Sequence, residues 1–191
     1  MDDLLEILTG AWRMLQDGVE DDQHPCRTAL LATTGPAGAS LRTVVLRQVI
    51  EAGRLLRCYT DVRSAKVAEI QRDPRVSWLV YHPGEKVQLR LSGRAVLHMA
   101  DNLAKARWQA TPDVRRQVYR GVAPPGTPLD DPTAAFPPPA AETAPDEGWE
   151  NFAVLSSQID SIDWLYVGRQ GHRRAKFRWQ GDEWTTSWVV P

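Results

Sequence analysis

The chain has 191 residues and a mass of 21.4 kDa, with 42% hydrophobic and 25% charged residues. This length suits one globular domain, and the composition excludes a disordered chain, a fibrous repeat and a disulfide scaffold, since Cys26 and Cys58 are the only cysteines. No apolar run is long enough to cross a membrane, and the acidic start of the chain lacks the layout of a signal peptide. We therefore expect a cytoplasmic protein.

The net charge of -1 conceals a basic central segment. Residues 27–107 carry fourteen Lys or Arg against six Asp or Glu, whereas residues 1–26 carry seven acids and one base. We therefore look for an anionic ligand in the centre of the chain. Because there is no long basic tail, nucleic acid is not predicted as a partner.

The first hundred residues change from helical to strand periodicity. Residues 2–16 are predicted as an amphipathic helix, with Asp2 or Asp3 as its N-cap, and the polar residues 17–26 as a loop. A second helix fits residues 64–72. The expected strands are Arg27–Ala32, Ser40–Ile50, Arg54–Thr60, Val76–Tyr81 and Lys86–His98.

The second half of the chain contains weaker helices, a proline-rich segment and more strands. A helix capped by Asp101 is predicted to present one side formed by Leu103, Ala106, Arg107 and Ala110. A second, weak helix covers Asp113–Tyr119. Residues 123–146 hold eight of the fourteen prolines and are predicted as a loop without helices or ladders. The remaining strands are expected at Phe152–Leu155, Asp160–Val167, Arg174–Trp179 and Glu183–Val190.

Short strands at regular spacing with few helices predict a mainly β fold. They favour an antiparallel barrel or sandwich with peripheral helices, because a parallel sheet would need a helix after each strand. The residues after the proline-rich segment are too few to fold alone. We therefore assign residues 1–191 to a single domain.

Common catalytic signatures are missing from the sequence. It has no dinucleotide fingerprint, no P-loop and no nucleophile-elbow motif, and its four histidines are scattered, so no metal site is predicted. Cys26 lies close to His24, but a buried structural thiol is favoured over a nucleophile there.

A set of polar residues between positions 42 and 88 points to a phosphate site. Ser64 opens a predicted helix whose N-terminus supplies free N–H groups, and Lys66 and Arg42 supply positive charge. Gln88 lies on the polar face of the longest strand, where it could hydrogen-bond a planar heterocycle. Each residue alone has an ordinary structural explanation, and the order in which they occur carries the hypothesis.

That order resembles the pyridoxamine 5′-phosphate oxidase family of FMN-binding split β-barrels. The matching motifs are Arg42-Thr43-Val44-Val45-Leu46-Arg47, Tyr59-Thr60, Ser64-Ala65-Lys66, Asp73-Pro74-Arg75, Gln88 through Gly93, His172-Arg173-Arg174 and Lys176-Phe177. The resemblance implies an FMN-binding split barrel and a homodimer in which two subunits share each flavin.

The resemblance also implies a role for each matching residue. FMN would be bound by Arg42, Thr43, Val44, Val45, Tyr59, Thr60, Ser64, Lys66, Gln88, Lys176 and either Trp164 or Tyr166. Arg47 takes the place of a lysine that reaches the substrate phosphate, and His172, Arg173 and Arg174 would act on the substrate side of the flavin. These three are expected at a strand end or loop, where an anion would relieve the repulsion between the two arginines.

Two departures from the family pattern indicate a divergent branch. Ala65 replaces a phosphate-binding arginine, and the family's substrate helix, with Tyr, Arg and Ser at four-residue steps, has no counterpart in residues 100–120. The implied activity is oxidation of an amine or alcohol on a small anionic substrate, with hydride transfer to FMN and reoxidation by oxygen. The alternatives are a non-catalytic FMN or pyridoxal phosphate binding or redox-sensing protein, and an FMN reductase that uses nicotinamide.

Overall fold

Nine strands form the body of the protein in the computed structural model, which describes residues 3–136, 144, 146–169 and 171–191. The strands are β1 Thr28–Gly35, β2 Gly38–Val45, β3 Gln48–Ile50, β4 Leu55–Asp61, β5 Arg75–His82, β6 Val87–Met99, β7 Phe152–Gly168, β8 Gly171–Gln180 and β9 Glu183–Val189. The helices are α1 Leu4–Glu20, α2 Ala65–Arg72, α3 Asn102–Ala110 and α4 Asp113–Arg116. Within these described ranges, no helix combines the length and the apolar character needed to span a membrane.

The strands pair in the order β2-β1-β5-β6-β7-β4-β3, and β8 and β9 continue from β7. Every pairing is antiparallel, which confirms the predicted mainly β architecture. β7 pairs with three neighbours: with β4 along its first half, with β8 along its second half and with β6 along nearly all of it. The assignment of residues 1–191 to a single domain stays a prediction.

Helix α1 packs its apolar stripe into the main core. Trp12 and Leu15 are each 1% exposed and belong to the same buried cluster as Trp78 and Leu89 of the sheet. Asp3 caps the helix as predicted, but the helix runs to Glu20, so the predicted loop at 17–26 is wrong in its first part. The polar composition of residues 17–20 gave no sign of this extension. In the structure Gly18 packs directly against the backbone of Cys26, a contact that the local sequence does not reveal.

A second buried cluster, rich in aromatic residues, lies between α3 and the first residues of β7. It contains Ala104, Trp108, Tyr119, Phe152 and Val154. The predicted inner side of α3 is therefore wrong: Ala104 and Trp108 are buried, whereas Ala106 and Ala110 are exposed. The weak helix predicted at 113–119 is present as α4 followed by a 3-10 turn at Gln117–Tyr119.

Three strand predictions need correction. The expected strand Ser40–Ile50 is broken at Leu46 and Arg47, whose N–H groups donate to the carbonyls of Arg27 and Arg57 instead of continuing one ladder. The strands expected at 152–155 and 160–167 are a single 17-residue strand, β7. The strand expected from Arg174 begins at Gly171.

The proline-rich segment contains local structure that its composition did not predict. Pro132–Ala135 forms a 3-10 helix capped by Asp131, and the N–H of Val122 donates to the carbonyl of Ala135. The prediction of a segment without helices is therefore wrong at this point. Pro137-Pro138-Pro139 lies outside the described residues.

The irregularity between β6 and β7 makes a test of the fold. At Gly93 the register shifts, and a Cβ atom there would overlap the carbonyl oxygen of Gln158. We expect Gly93→Ala to lower the free energy of unfolding by more than about 2 kcal/mol, because backbone has to move. The matched control is Gly10→Ala in α1, where a Cβ meets nothing within 4 Å and the helix should gain about 1 kcal/mol. Urea unfolding of both variants measures this, and equal effects would contradict the account.

Candidate functional site

A cleft of about 300 Å³ lies where β2 faces β4. Among the described strands β2 pairs only with β1, so its other edge borders this cleft. The start of α2 closes one end, and the 3-10 turn after α4 covers part of the opening. The lining residues are Thr43, Val44, Val45, Arg47, Tyr59, Thr60, Asp61, Lys66, Val118 and Tyr119.

Strand alternation decides which side chains of β2 face which way. Thr43 lies opposite Leu30 of β1 on the outer face of the sheet, and Val44 packs against the main core. The break after β2 places Arg47 beside β4, where its guanidinium carbon lies 5.7 Å from the centre of the Tyr59 ring. The cleft therefore has an apolar strand along one side and a cation at one end.

Lys66 and two hydroxyl groups form a polar corner at the other end. The Nζ of Lys66 donates to Oγ1 of Thr60 at 3.0 Å and to Oγ of Ser64 at 3.1 Å. Ser64 occupies the N-cap position of α2, but its hydroxyl donates to the carbonyl of Asp61 at 2.7 Å and makes no capping bond. The first turn of α2 therefore has no side-chain acceptor at its N-terminus, which leaves the N–H groups of Ala65 and Lys66 available to an anion, whereas that of Val67 donates to the carbonyl of Ser64.

The charge balance of this corner also favours an anion. Burial lowers the pKa of Lys66, and the nearby positive charge of Arg42 lowers it further. Asp61 lines the cleft, but its carboxylate is bound by Arg63 through its side chain and its backbone N–H. A phosphate group placed at Lys66 would offset its desolvation and neighbouring charge.

Arg42 lies beside the polar corner, but its guanidinium faces Glu69 of α2. Its guanidinium donates to Glu69 of α2 at 2.9 Å and also binds Thr33 and Ser40. A hydrogen bond from Thr33 lowers the pKa of Glu69, and Arg42 lowers it further. Arg42 thus holds a buried carboxylate, and its charge acts on the cleft from the inner side of β2.

The remaining predicted cofactor residues lie on the far part of the sheet. Gln88 of β6 lies opposite Leu165, and Lys176 of β8 lies opposite Asp163, both facing outward. Trp164 and Tyr166 point to the other face of β7, where their rings stack at 6.4 Å and 14°. None of these four side chains lines the cleft.

The strand register shows how far Gln88, Trp164, Tyr166 and Lys176 lie from the residues that line the cleft. Tyr59 is paired with Val154, whereas Tyr166 is twelve residues further along the same strand. At about 3.3 Å per residue this is roughly 40 Å of strand. One chain therefore does not bring the two groups of predicted residues together.

The cluster His172-Arg173-Arg174 differs from its predicted setting. These residues lie at the first end of β8, which agrees with the predicted strand end, but because they are part of the strand Arg173 and Arg174 point to opposite faces of the sheet. Arg174 binds Asp163 through two hydrogen bonds of 2.9 and 2.8 Å. The guanidinium of Arg173 lies 4.9 Å from the Tyr166 ring centre. The predicted repulsion between neighbouring arginines is therefore wrong.

Sequence reasoning missed Val118 and Tyr119 as lining residues of the cleft. Tyr119 is 7% exposed, packs edge-on against Phe152, and has its pKa raised by burial. Its position depends on packing against residues far away along the chain, so no local pattern could have indicated it. Asp61 was also missed, although it directly follows the Tyr59-Thr60 motif.

The fold is that of the FMN-binding split barrels. Residues 9–99, from α1 to the end of β6, match the model of the pyridoxamine 5′-phosphate oxidase family's FMN-binding domain. This part of the chain is therefore similar to the FMN-binding domain of that family, and FMN is the cofactor that the match supports. Both the resemblance and the cofactor predicted from the sequence are confirmed.

Solved structures share this fold. A pyridoxamine 5′-phosphate oxidase-related, FMN-binding protein from Nostoc punctiforme PCC 73102 is 27% identical, with a TM-score of 0.78 over 96% of each chain. PhzG from Burkholderia lata 383, solved in complex with tetrahydrophenazine-1-carboxylic acid, is 19% identical, with a TM-score of 0.73 over 100% of this chain and 94% of that one. General stress protein 26 from Bacillus anthracis str. Sterne is 16% identical, with a TM-score of 0.50 over 81% and 92%.

The pairing of Arg42 with Glu69 gives a test of this region. We expect Arg42→Ala to lower the free energy of unfolding by about 3 kcal/mol at pH 7, because a buried carboxylate loses its cation. In the wild type the depressed pKa of Glu69 contributes stability above its unfolded pKa, and this is lost as the pH falls through the folded pKa. The free energy of unfolding of Arg42→Ala should fall less on acidification than that of the wild type, because the charged form of Glu69 is less stabilised in the variant.

Urea unfolding at pH 7 and pH 4 measures both effects. The control is Arg75→Ala, which breaks the exposed pair with Asp73 and should change little. Equal losses in the two variants would show that Arg42 does not support Glu69.

Proposed function

We propose that the protein is an FMN-dependent oxidoreductase that oxidises an amine or alcohol on a small anionic substrate. The observation that carries this proposal is the cleft at the free edge of β2, with the polar corner of Lys66 at one end and Arg47 at the other. Its donors fit a phosphate, and its apolar strand fits a flat ring system. The single phosphate corner favours FMN over FAD.

In this proposal the polar corner holds the FMN phosphate. Lys66 donates to it, Ser64 and Thr60 hold Lys66 in place by accepting from its Nζ, and the N-terminus of α2 adds backbone N–H groups. Arg42 contributes through its charge, because its donors are bound to Glu69, Thr33 and Ser40. Ala65 stands where the family has an arginine, so we expect these donors to bind the phosphate more weakly but still to bind it.

The reactive end of the cleft lies between β2 and Arg47. Bound FMN would supply the hydride acceptor for the substrate and the route by which the electrons reach oxygen. Thr43, Val44 and Val45 position the ring system, and Tyr59 orients Arg47 through its ring. Arg47 stays charged and binds the substrate anion, which places the oxidisable carbon beside the cleft. His172 lies on β8 opposite Val167, so its proposed role as a polar contact or proton carrier would be at the cleft of a partner chain.

We further propose that the functional unit is a homodimer with FMN at its interface. Gln88 and Lys176 lie on the outer face far from the cleft of their own chain, and in the proposed dimer they would reach the cleft of a partner, whereas Trp164 and Tyr166 face the core of their own chain. The outer sheet face that would be covered carries Leu41 and Tyr81, which are 61% and 49% exposed. It also contains a groove of about 410 Å³.

A second candidate function is non-catalytic binding of FMN or pyridoxal phosphate. It is favoured by the segment that replaces the family's substrate helix, since Val118 and Tyr119 cover part of the cleft. The two candidates differ in turnover. A binding protein keeps its flavin oxidised in the presence of every candidate amine or alcohol.

Anaerobic reduction tests the oxidase proposal. We expect the FMN-loaded protein to bleach near 450 nm with pyridoxamine 5′-phosphate, pyridoxine 5′-phosphate or a related anionic amine or alcohol, and to recover in air with release of peroxide. Arg47→Gln should lower kcat/KM by about tenfold or more, because a charge-assisted bond to the substrate is lost. The control is Lys105→Gln on the exposed side of α3. Retained FMN without bleaching by any of these substrates would favour the binding protein.

Complementation between variants tests the shared site. Lys66→Ala and Lys176→Ala should each weaken FMN binding by about tenfold or more through loss of a charge-assisted bond. In a mixed dimer of the two variants one site carries both changes and the other carries none. Unfolding and refolding an equimolar mixture should therefore restore about a quarter of the tight sites. Flavin fluorescence quenching counts them, and no restoration would show that each FMN is held by one chain.

A further inference from the structure

A charged cluster lies behind the FMN cleft, on the inner side of β2. Its centre is formed by Arg42 of β2 and Glu69 of α2, and Thr33 of β1 and Ser40 of β2 lie beside them. The side chain of Glu69 is 8% exposed, and that of Arg42 is 21% exposed. We call these four residues the Arg42–Glu69 clamp, because they join α2 to the hairpin of β1 and β2.

Both terminal nitrogens of Arg42 donate to groups of the fold. Nη1 donates to Oγ1 of Thr33 at 2.5 Å and to the carbonyl of Leu31 at 3.3 Å. Nη2 donates to Oγ of Ser40 at 2.5 Å and to Oε2 of Glu69 at 2.9 Å. The same Oε2 accepts from Thr33 at 2.5 Å. The carboxylate of Glu69 is therefore fixed against the guanidinium, and its charge offsets that of Arg42 at short range.

The clamp acts on the polar corner of the cleft through charge. Lys66 and Glu69 are three positions apart on α2, but Lys66 lines the cleft, whereas Glu69 points to the clamp. Burial lowers the pKa of Lys66, the charge of Arg42 lowers it further, and the charge of Glu69 acts in the opposite direction. Both charges of the clamp therefore reach the corner. Because they offset each other, a phosphate there is attracted mainly by Lys66.

We propose that Glu69 is a positioning residue that limits how tightly FMN is bound, because it holds and neutralises Arg42 behind the phosphate corner. This inference rests on the proposed phosphate site at Lys66, and it names the group that regulates the affinity of that site. The carboxylate of Glu69 and the phosphate compete for the same positive charge, so each reduces what the other gains from Arg42. The ion pair thus stabilises the fold and keeps FMN exchangeable.

Two charge variants of the full chain test this proposal in opposite directions. Glu69→Gln keeps the shape of the side chain and an oxygen acceptor but leaves the charge of Arg42 uncompensated, and should tighten FMN binding by about fivefold. Ser40→Asp adds a second carboxylate next to Arg42 and should weaken FMN binding by about fivefold. The matched control is Ser40→Asn, which has the shape of the aspartate without its charge and should bind FMN like the wild type.

Dilution of the flavin-loaded proteins at constant ionic strength measures the affinity through the fluorescence of the released flavin. Each protein is loaded with FMN and, in a separate experiment, with riboflavin, which has the same ring system but no phosphate. We expect the affinity for riboflavin to be the same in all variants of the clamp, because its charge acts on the phosphate. If the clamp only held α2 in place, Glu69→Gln would instead weaken the binding of both flavins.

The proposal is wrong if Glu69→Gln binds FMN as tightly as the wild type or more weakly, or if its affinity for riboflavin changes equally. Should Glu69→Gln not fold, equal FMN affinities of Ser40→Asp and Ser40→Asn still overturn it. Lys66→Ala separates this inference from the site on which it rests. If that variant binds FMN like the wild type, the corner is not the phosphate site and both proposals fail. If Lys66→Ala weakens FMN binding and the clamp variants do not shift it, only the role of Glu69 is overturned. Opposite shifts in the two charge variants support the role of Glu69 whether or not any substrate is oxidised.

Discussion

The continuous pairing of β7 with three neighbours is the constraint on which the rest of the structure depends. Its first half positions β4, and with it Tyr59 and Thr60 of the cleft, whereas its second half carries β8. Both halves are joined through β6, whose register shift at Gly93 lets one 17-residue strand turn from one neighbour to the other. The same strand therefore builds the cleft and keeps the second group of predicted cofactor residues away from it.

Local patterns predicted those parts of the fold whose contacts are close in sequence. The apolar stripe of α1, the N-cap at Asp3, and the alternation of buried and polar residues in β6 are present as expected. The break at Leu46 and the union of 152–155 with 160–167 depend on partners elsewhere, namely Arg27, Arg57 and β6. Predicted site residues came from motif order, which assigns them to one site but carries no information on which chain supplies them.

The charge distribution along the sequence located the basic region. It could not show which cations pair with carboxylates inside the fold and which could bind a ligand. Several of its arginines neutralise carboxylates within the fold, including Arg42 with Glu69, Arg63 with Asp61, and Arg90 with Asp163. Within the described part of the chain, the hydrogen bonds of Lys66 go to hydroxyl groups and not to a carboxylate, and Arg47 lies over an aromatic ring. Whether a cation is paired depends on which carboxylate the fold brings next to it. The sequence does not show this, because partners such as Arg42 and Glu69 are 27 positions apart.

Arg47 lines both the cleft and a smaller neighbouring cavity of about 160 Å³. The segment after α3 borders both of these spaces. Trp108 and Phe152 anchor this segment in the aromatic cluster, so its turn reaches over the cleft with Tyr119 while α4 presents Arg115 to the neighbouring pocket. Under the proposed function, Arg47 would hold the anionic end of a substrate while the cleft holds the flavin. A change in the segment after α3 would then alter substrate choice without altering the polar corner at Lys66.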